Sequence, residues 1–122
     1  MIKAYLLTTG EDGHSHVQHG HVSQGIFTDG LTVRFNETAP GTFFDWHTAP
    51  ATQYVISLTG TLLFKTFTGE EFTLNPGEVL IAMDTTGSGH TWQMLGNDPW
   101  KRAYVLFDPT KTINFTPDNI NI

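Results

Sequence analysis

Short apolar runs punctuated by Gly, Pro and Asn set the pattern of this chain. Leu31, Val33 and Phe35 alternate with Thr32, Arg34 and Asn36, the period-2 signature of a half-buried strand. Gln53–Thr59 and Thr61–Phe67 are rich in β-branched and aromatic residues, and Gly60 between them supplies a sharp turn. Val79–Met83 is almost wholly apolar, as a strand buried on both faces would be. Further strands are predicted at Ile2–Leu7, Val22–Phe27, Thr42–His47, Glu71–Leu74, Thr91–Leu95 and Arg102–Phe107. Turns are predicted at Thr28-Asp29-Gly30, Ala39-Pro40-Gly41, Thr68-Gly69-Glu70 and Asn75-Pro76-Gly77. Gly10–Gly20 is polar and reads as a solvated loop, and the tail from Asp108 adds a helical turn or a short edge strand. No segment sustains a helical period. About ten short strands at close spacing predict an all-β sandwich or barrel.

Composition narrows this picture. At 122 residues with no repeat or linker, the chain reads as one domain spanning 1–122. Twelve acidic residues against six basic ones give a net charge of −6, with no basic stripe, which disfavours nucleic acid as a partner. No apolar run approaches membrane-span length, so no membrane partner is expected. The first residues are too short and too weakly basic a stretch for a signal peptide, an expectation of a cytoplasmic protein. Without cysteine there is no disulfide and no thiol chemistry. The patterns of a Ser–His–Asp triad, a phosphate-binding loop, a dinucleotide fingerprint and a zinc ribbon are absent, and Ser88 reads as a turn residue.

The candidate chemistry lies between Trp46 and Trp92. Histidine lining a β-barrel can bind metal, move a proton or bond a ligand. Strand alternation puts Phe43 and Asp45 on the face of His47, and Trp92 and Met94 on the face of His90. Asp45 either orients His47, or takes a proton from a substrate, or sits at the rim. Asp84 opens a loop whose Thr85, Thr86 and Ser88 hydroxyls and Gly87 and Gly89 amides either hold a carboxylate or enolate oxygen, or belong to an Asx-type turn. Trp92 offers the pocket a flat apolar wall. His14, His16, His19 and His21 have His-x-His spacings. They belong either to the polar loop or to an arm that brings one imidazole inward.

These spacings resemble the cupin family. Its first motif reads Gly, five residues, His, one residue, His, three or four residues, Glu, six residues, Gly. The chain has Gly41, His47, Ala49, Gln53 and Gly60 at those positions, with Ala49 for the second His and Gln53 for the Glu. The second motif is matched by Pro76-Gly77, the apolar strand and His90, with Met83 for the usual Pro and Met94 for the Asn that often follows. The resemblance covers roughly residues 41–95, leaving an N-terminal arm at 1–27 and a C-terminal tail at 108–122. It implies a jelly-roll β-barrel (a double-stranded β-helix), commonly a homodimer, acting on a small organic molecule. Catalytic roles then fall to His47, His90 and Asp45, and ligand contacts to Gln53, Trp92, Asp84, Phe43 and Met94. A divalent Fe, Mn, Ni, Cu or Zn ion would have His47, Gln53 and His90 as its ligands, a weak set because an amide brings no charge. The activities implied are isomerase, lyase or decarboxylase chemistry, a non-catalytic binder or sensor, or a metal-dependent dioxygenase if an N-terminal histidine completes the site.

Overall fold

A computed structural model describes residues 1–118. Those residues hold eleven strands and no helix. They are β1 (Ile2–Thr9), β2 (Ser15–Val22), β3 (Thr32–Thr38), β4 (Phe43–His47), β5 (Gln53–Thr59) and β6 (Thr61–Thr66), followed by β7 (Glu71–Leu74), β8 (Val79–Ala82), β9 (His90–Leu95), β10 (Trp100–Leu106) and β11 (Thr116–Pro117). One sheet runs β11-β2-β1-β8-β5-β10-β3, and the other β4-β9-β6-β7. With no helix, none is long and apolar enough to cross a membrane.

The main core lies between the sheets, with Tyr5, Leu7, Val55, Leu80 and Tyr104 from the first meeting Leu62, Phe64, Phe72, Leu74 and Trp92 from the second. β1 and β8 run parallel through the middle of the larger sheet. Their alternate residues Ala4, Leu6, Val79 and Ile81 form a second core on the outer face, covered by Phe107, which follows β10, and by Ile113 and Phe115 from the tail. Two-sided burial explains the unbroken apolar run of β8. The predicted turn at Gly60 (φ 87°) carries the chain from one sheet to the other, and the backbone of Pro99 and Trp100 lies too close to admit a Cβ there.

Several expectations change. No strand pairing joins the two sheets among the described residues, so the architecture is a two-sheet all-β sandwich, not a closed hydrogen-bonded barrel. Two of its edge strands, β3 and β4, are unpaired on their outer sides among the described residues. Of Gly10–Gly20 only residues 10–14 form a loop: Ser15–Val22 pairs with β1 through eight consecutive residues, and the strand predicted at Val22–Phe27 is irregular beyond Val22. Backbone pairing with an apolar neighbour formed that strand despite its polar side chains. In β3 the alternation does not mark burial: Leu31, Val33 and Phe35 are exposed, and so are Arg34 and Asn36, the pair that lines the inter-sheet cavity. The predicted edge strand in the tail is β11; residues 119–122 of that tail lie outside the described residues.

Candidate functional site

The sandwich holds, between its β3 and β4 edges, a cavity of about 240 Å³. Register decides which side chains reach it. On the larger sheet, Arg34 pairs with Tyr104, which pairs with Val55, and Asn36 pairs with Arg102, which pairs with Ser57. These rows face the other sheet, and Arg34, Asn36, Arg102, Tyr104 and Val55 line the cavity. On the smaller sheet, His47 lies opposite His90 and Phe44 opposite Trp92. Two residues of β4, Asp45 and Trp46, therefore stand against Thr91 alone, a β-bulge.

That bulge overturns the alternation read from the sequence. Phe44, not Phe43, shares the face of His47 and lines the cavity, while Phe43 is exposed. Asp45 is turned out to solvent, and its carboxylate accepts the Trp46 N–H at 2.9 Å. Its contribution to His47 comes from the main chain: the His47 Nδ1–H donates to the Asp45 carbonyl at 2.7 Å. A carbonyl can only accept, so this bond sets the tautomer and leaves Nε2 with a lone pair.

His90 is anchored differently. Its Nδ1–H donates to Asp84 Oδ2 at 2.6 Å, and the Ser15 hydroxyl donates to the same oxygen at 2.6 Å. Asp84 is fully buried and is not a cavity wall, and its backbone carbonyl accepts the Ala49 N–H. Asp84 thus corrects two expectations: it is neither an Asx-turn residue bonded to its own backbone nor a ligand contact, but the orienting partner of His90. Both donors of Ser88 in its loop are engaged elsewhere. The Ser88 amide reaches Gly13 O, and the Ser88 hydroxyl pairs with His14 Nδ1. The loop docks against the β1–β2 turn.

The rings of His47 and His90 stand 4.4 Å apart, edge to face, and neither Nε2 has a hydrogen-bond partner among the described residues. Burial, with a smaller contribution from His90, holds the His47 pKa below the ordinary imidazole value. Gln53 and Trp92 both line the cavity; Met94 is packed in the core and does not. Arg34, Asn36, Phe44, Trp100, Arg102 and Tyr104 also line the cavity and were not anticipated. The available signal was the shared parity of Trp100, Arg102 and Tyr104, a cation set between aromatic residues on one strand face.

The N-terminal histidines take no part in the cavity wall. His14 stacks on Phe67, and His19 packs edge-on against Tyr5. His16 bridges Asp12 and Glu70, whose carboxylates raise its pKa. No His, Asp or Glu cluster of three or more that could hold a metal occurs among the described residues. The cavity offers two imidazoles and the Gln53 amide, with no carboxylate and with two guanidinium groups on the facing wall. Such donors do not fit a divalent transition metal, because nothing on the wall offsets its charge and the arginines repel it. A scan against protein-family models gives no match for this chain, and a search of curated proteins gives none.

Proposed function

We propose that the chain is a cupin-type protein, its two sheets arranged as a jelly roll (double-stranded β-helix). In this reading His47 and His90 move protons on a small organic molecule, as in isomerase, lyase or decarboxylase chemistry. The observation that carries it is the paired anchoring of the imidazoles, each tied at Nδ1 and free at Nε2, on one cavity. The lowered pKa keeps His47 neutral near pH 7, so its Nε2 serves as the base. A proton lifted from a substrate carbon comes to rest on His47 and is returned to the substrate to complete the turnover. Asp84 holds the His90 ring in place and compensates positive charge developing on it. Phe44 and Trp92, stacked at 5.4 Å, screen the imidazoles from water. No step runs through a metal.

The homodimer belongs to the same proposal. Its support is the free edge of β3 with Val33 and Phe35 exposed beside it, a surface that a second copy would cover. Sedimentation velocity tests it, and a monomer at micromolar concentration would remove it.

The enzyme reading is tested by incubating the protein with a panel of small carbonyl compounds in D₂O and following C–H to C–D exchange by NMR. Exchange is expected, with an acid limb below the ordinary imidazole range. His47→Ala is expected to fold and to lose about a hundredfold or more of the rate. Full activity in that variant would refute the base assignment. Binding without exchange would make the cavity that of a non-catalytic binder.

A further inference from the structure

Arg102 is only 5% exposed, and its charge is unpaired among the described residues. Its Nε donates to the Tyr104 hydroxyl at 2.9 Å, and its Nη1 to the Thr38 hydroxyl at 2.6 Å and the Trp100 carbonyl at 3.0 Å. The guanidinium lies 3.8 Å over the Trp100 ring. Every one of these partners is neutral. No carboxylate lies within salt-bridge distance of Arg102 or Arg34 among the described residues, and Arg102 Nη2 has no protein acceptor there.

An arginine cannot shed its proton, so a buried guanidinium without a counter-charge carries a large desolvation cost. Arg34 adds a second cation on the same wall, 4.6 Å over the Tyr104 ring. The chain has twice as many acidic as basic residues, yet two of its six Lys and Arg residues line a cavity that holds no acid. Arg102 is held in place by neutral groups, and an anion entering the cavity would supply the counter-charge that the described residues do not.

We infer that the cavity takes an anionic ligand, a small organic carboxylate whose carboxyl group is held by Arg102 and Arg34. This rests on the reading of the cavity as a small-molecule site and names its substrate class. A guanidinium fork matches the two oxygens of a carboxylate. The rest of the wall, with Val55, Phe64, Leu80, Trp92 and Trp100, is apolar and suits a carbon skeleton better than a fully hydrated inorganic anion. The arginines come from β3 and β10 of one sheet, and the imidazoles from β4 and β9 of the other. Facing sheets pack about 10 Å apart. A carboxylate anchored on the first wall therefore presents its carbon chain toward His47 and His90.

The test is binding, read from the ring ¹⁵N resonances of His47 and His90 and by calorimetry. The probes are acetate, malonate, succinate and benzoate, each against its primary amide, with inorganic phosphate as a separate arm. At least one carboxylate is expected to bind and to shift both rings, about tenfold or more tighter than its amide. Arg34→Gln, on the exposed strand, and Arg102→Gln are each expected to weaken it about tenfold or more. Should Arg102→Gln fail to fold, Arg34→Gln decides. Equal binding of acid and amide, or no effect of Arg34→Gln, would overturn the inference and leave the small-molecule cavity standing. Tighter binding of phosphate than of every carboxylate would overturn the carboxylate class. Failure of every acid and every amide to move the rings would overturn both the inference and the cavity reading beneath it.

Discussion

His47 and His90 face the same cavity from neighbouring strands and are held there in opposite ways. His90 sits on an inner strand, 4% exposed, and its orientation comes from Asp84 and through it from Ser15, far away in sequence. His47 sits on an edge strand, half-buried, and its orientation comes from the carbonyl two residues before it, at a bulge. One imidazole is fixed by the tertiary structure and the other by local backbone geometry. The difference fits the proposed roles: the network around His90 can compensate a developing charge, while His47 keeps a neutral lone pair at the mouth.

The largest effect is expected from cutting the network around His90. Asp84→Ala leaves His90 Nδ1–H and the Ser15 hydroxyl without their shared acceptor, and should cost about 3–5 kcal/mol of unfolding free energy in urea melts. A loss under about 1 kcal/mol would mean that His90 does not depend on it.

The second effect probes the link between the two regions. Gly89 has φ 75°, and an added Cβ would collide with the His47 carbonyl. Gly89→Ala should cost about 1–3 kcal/mol and move the His47 ring resonance more than the His90 resonance. Equal shifts would argue against separate anchoring.

The smallest effect is expected at Asp45. Because its carbonyl and not its carboxylate holds His47, Asp45→Ala should change stability by no more than about 0.5 kcal/mol. The pH dependence of stability should be unchanged in this variant. The folded pKa of His47 lies below its unfolded value, so the unfolded chain takes up the proton first. Stability from this group is therefore present above the ordinary imidazole pKa and is lost as pH falls through that value toward the folded one. A flattened acid limb in Asp45→Ala would restore the carboxylate to the site.

Much of the fold was legible in the sequence because strands buried on one or both faces write their period directly into it. β5 and β7 begin and end where β-branched content and turn residues predict, and β8 shows two-sided burial as an unbroken apolar run. β2 was not legible, since its backbone is paired by β1 while its histidines stay outside the main core. The candidate site was half legible. His47, Gln53, His90 and Trp92 were placed by spacing and parity, and all four line the cavity. Phe43 and Asp45 failed together, because a single bulge reverses parity and no residue type announces one there.

The sequence by itself determined that this is an all-β chain with two histidines bracketing its central strands, because period, turn chemistry and spacing are local properties. Only the tertiary structure decided what those histidines face. It turned the apolar side of β3 outward and its arginine inward, brought Arg102 onto the same wall, and sent Asp84 behind His90. Those outcomes depend on which strands become neighbours and in what register, and that is set by the balance of burial across the whole sandwich, not within any one strand.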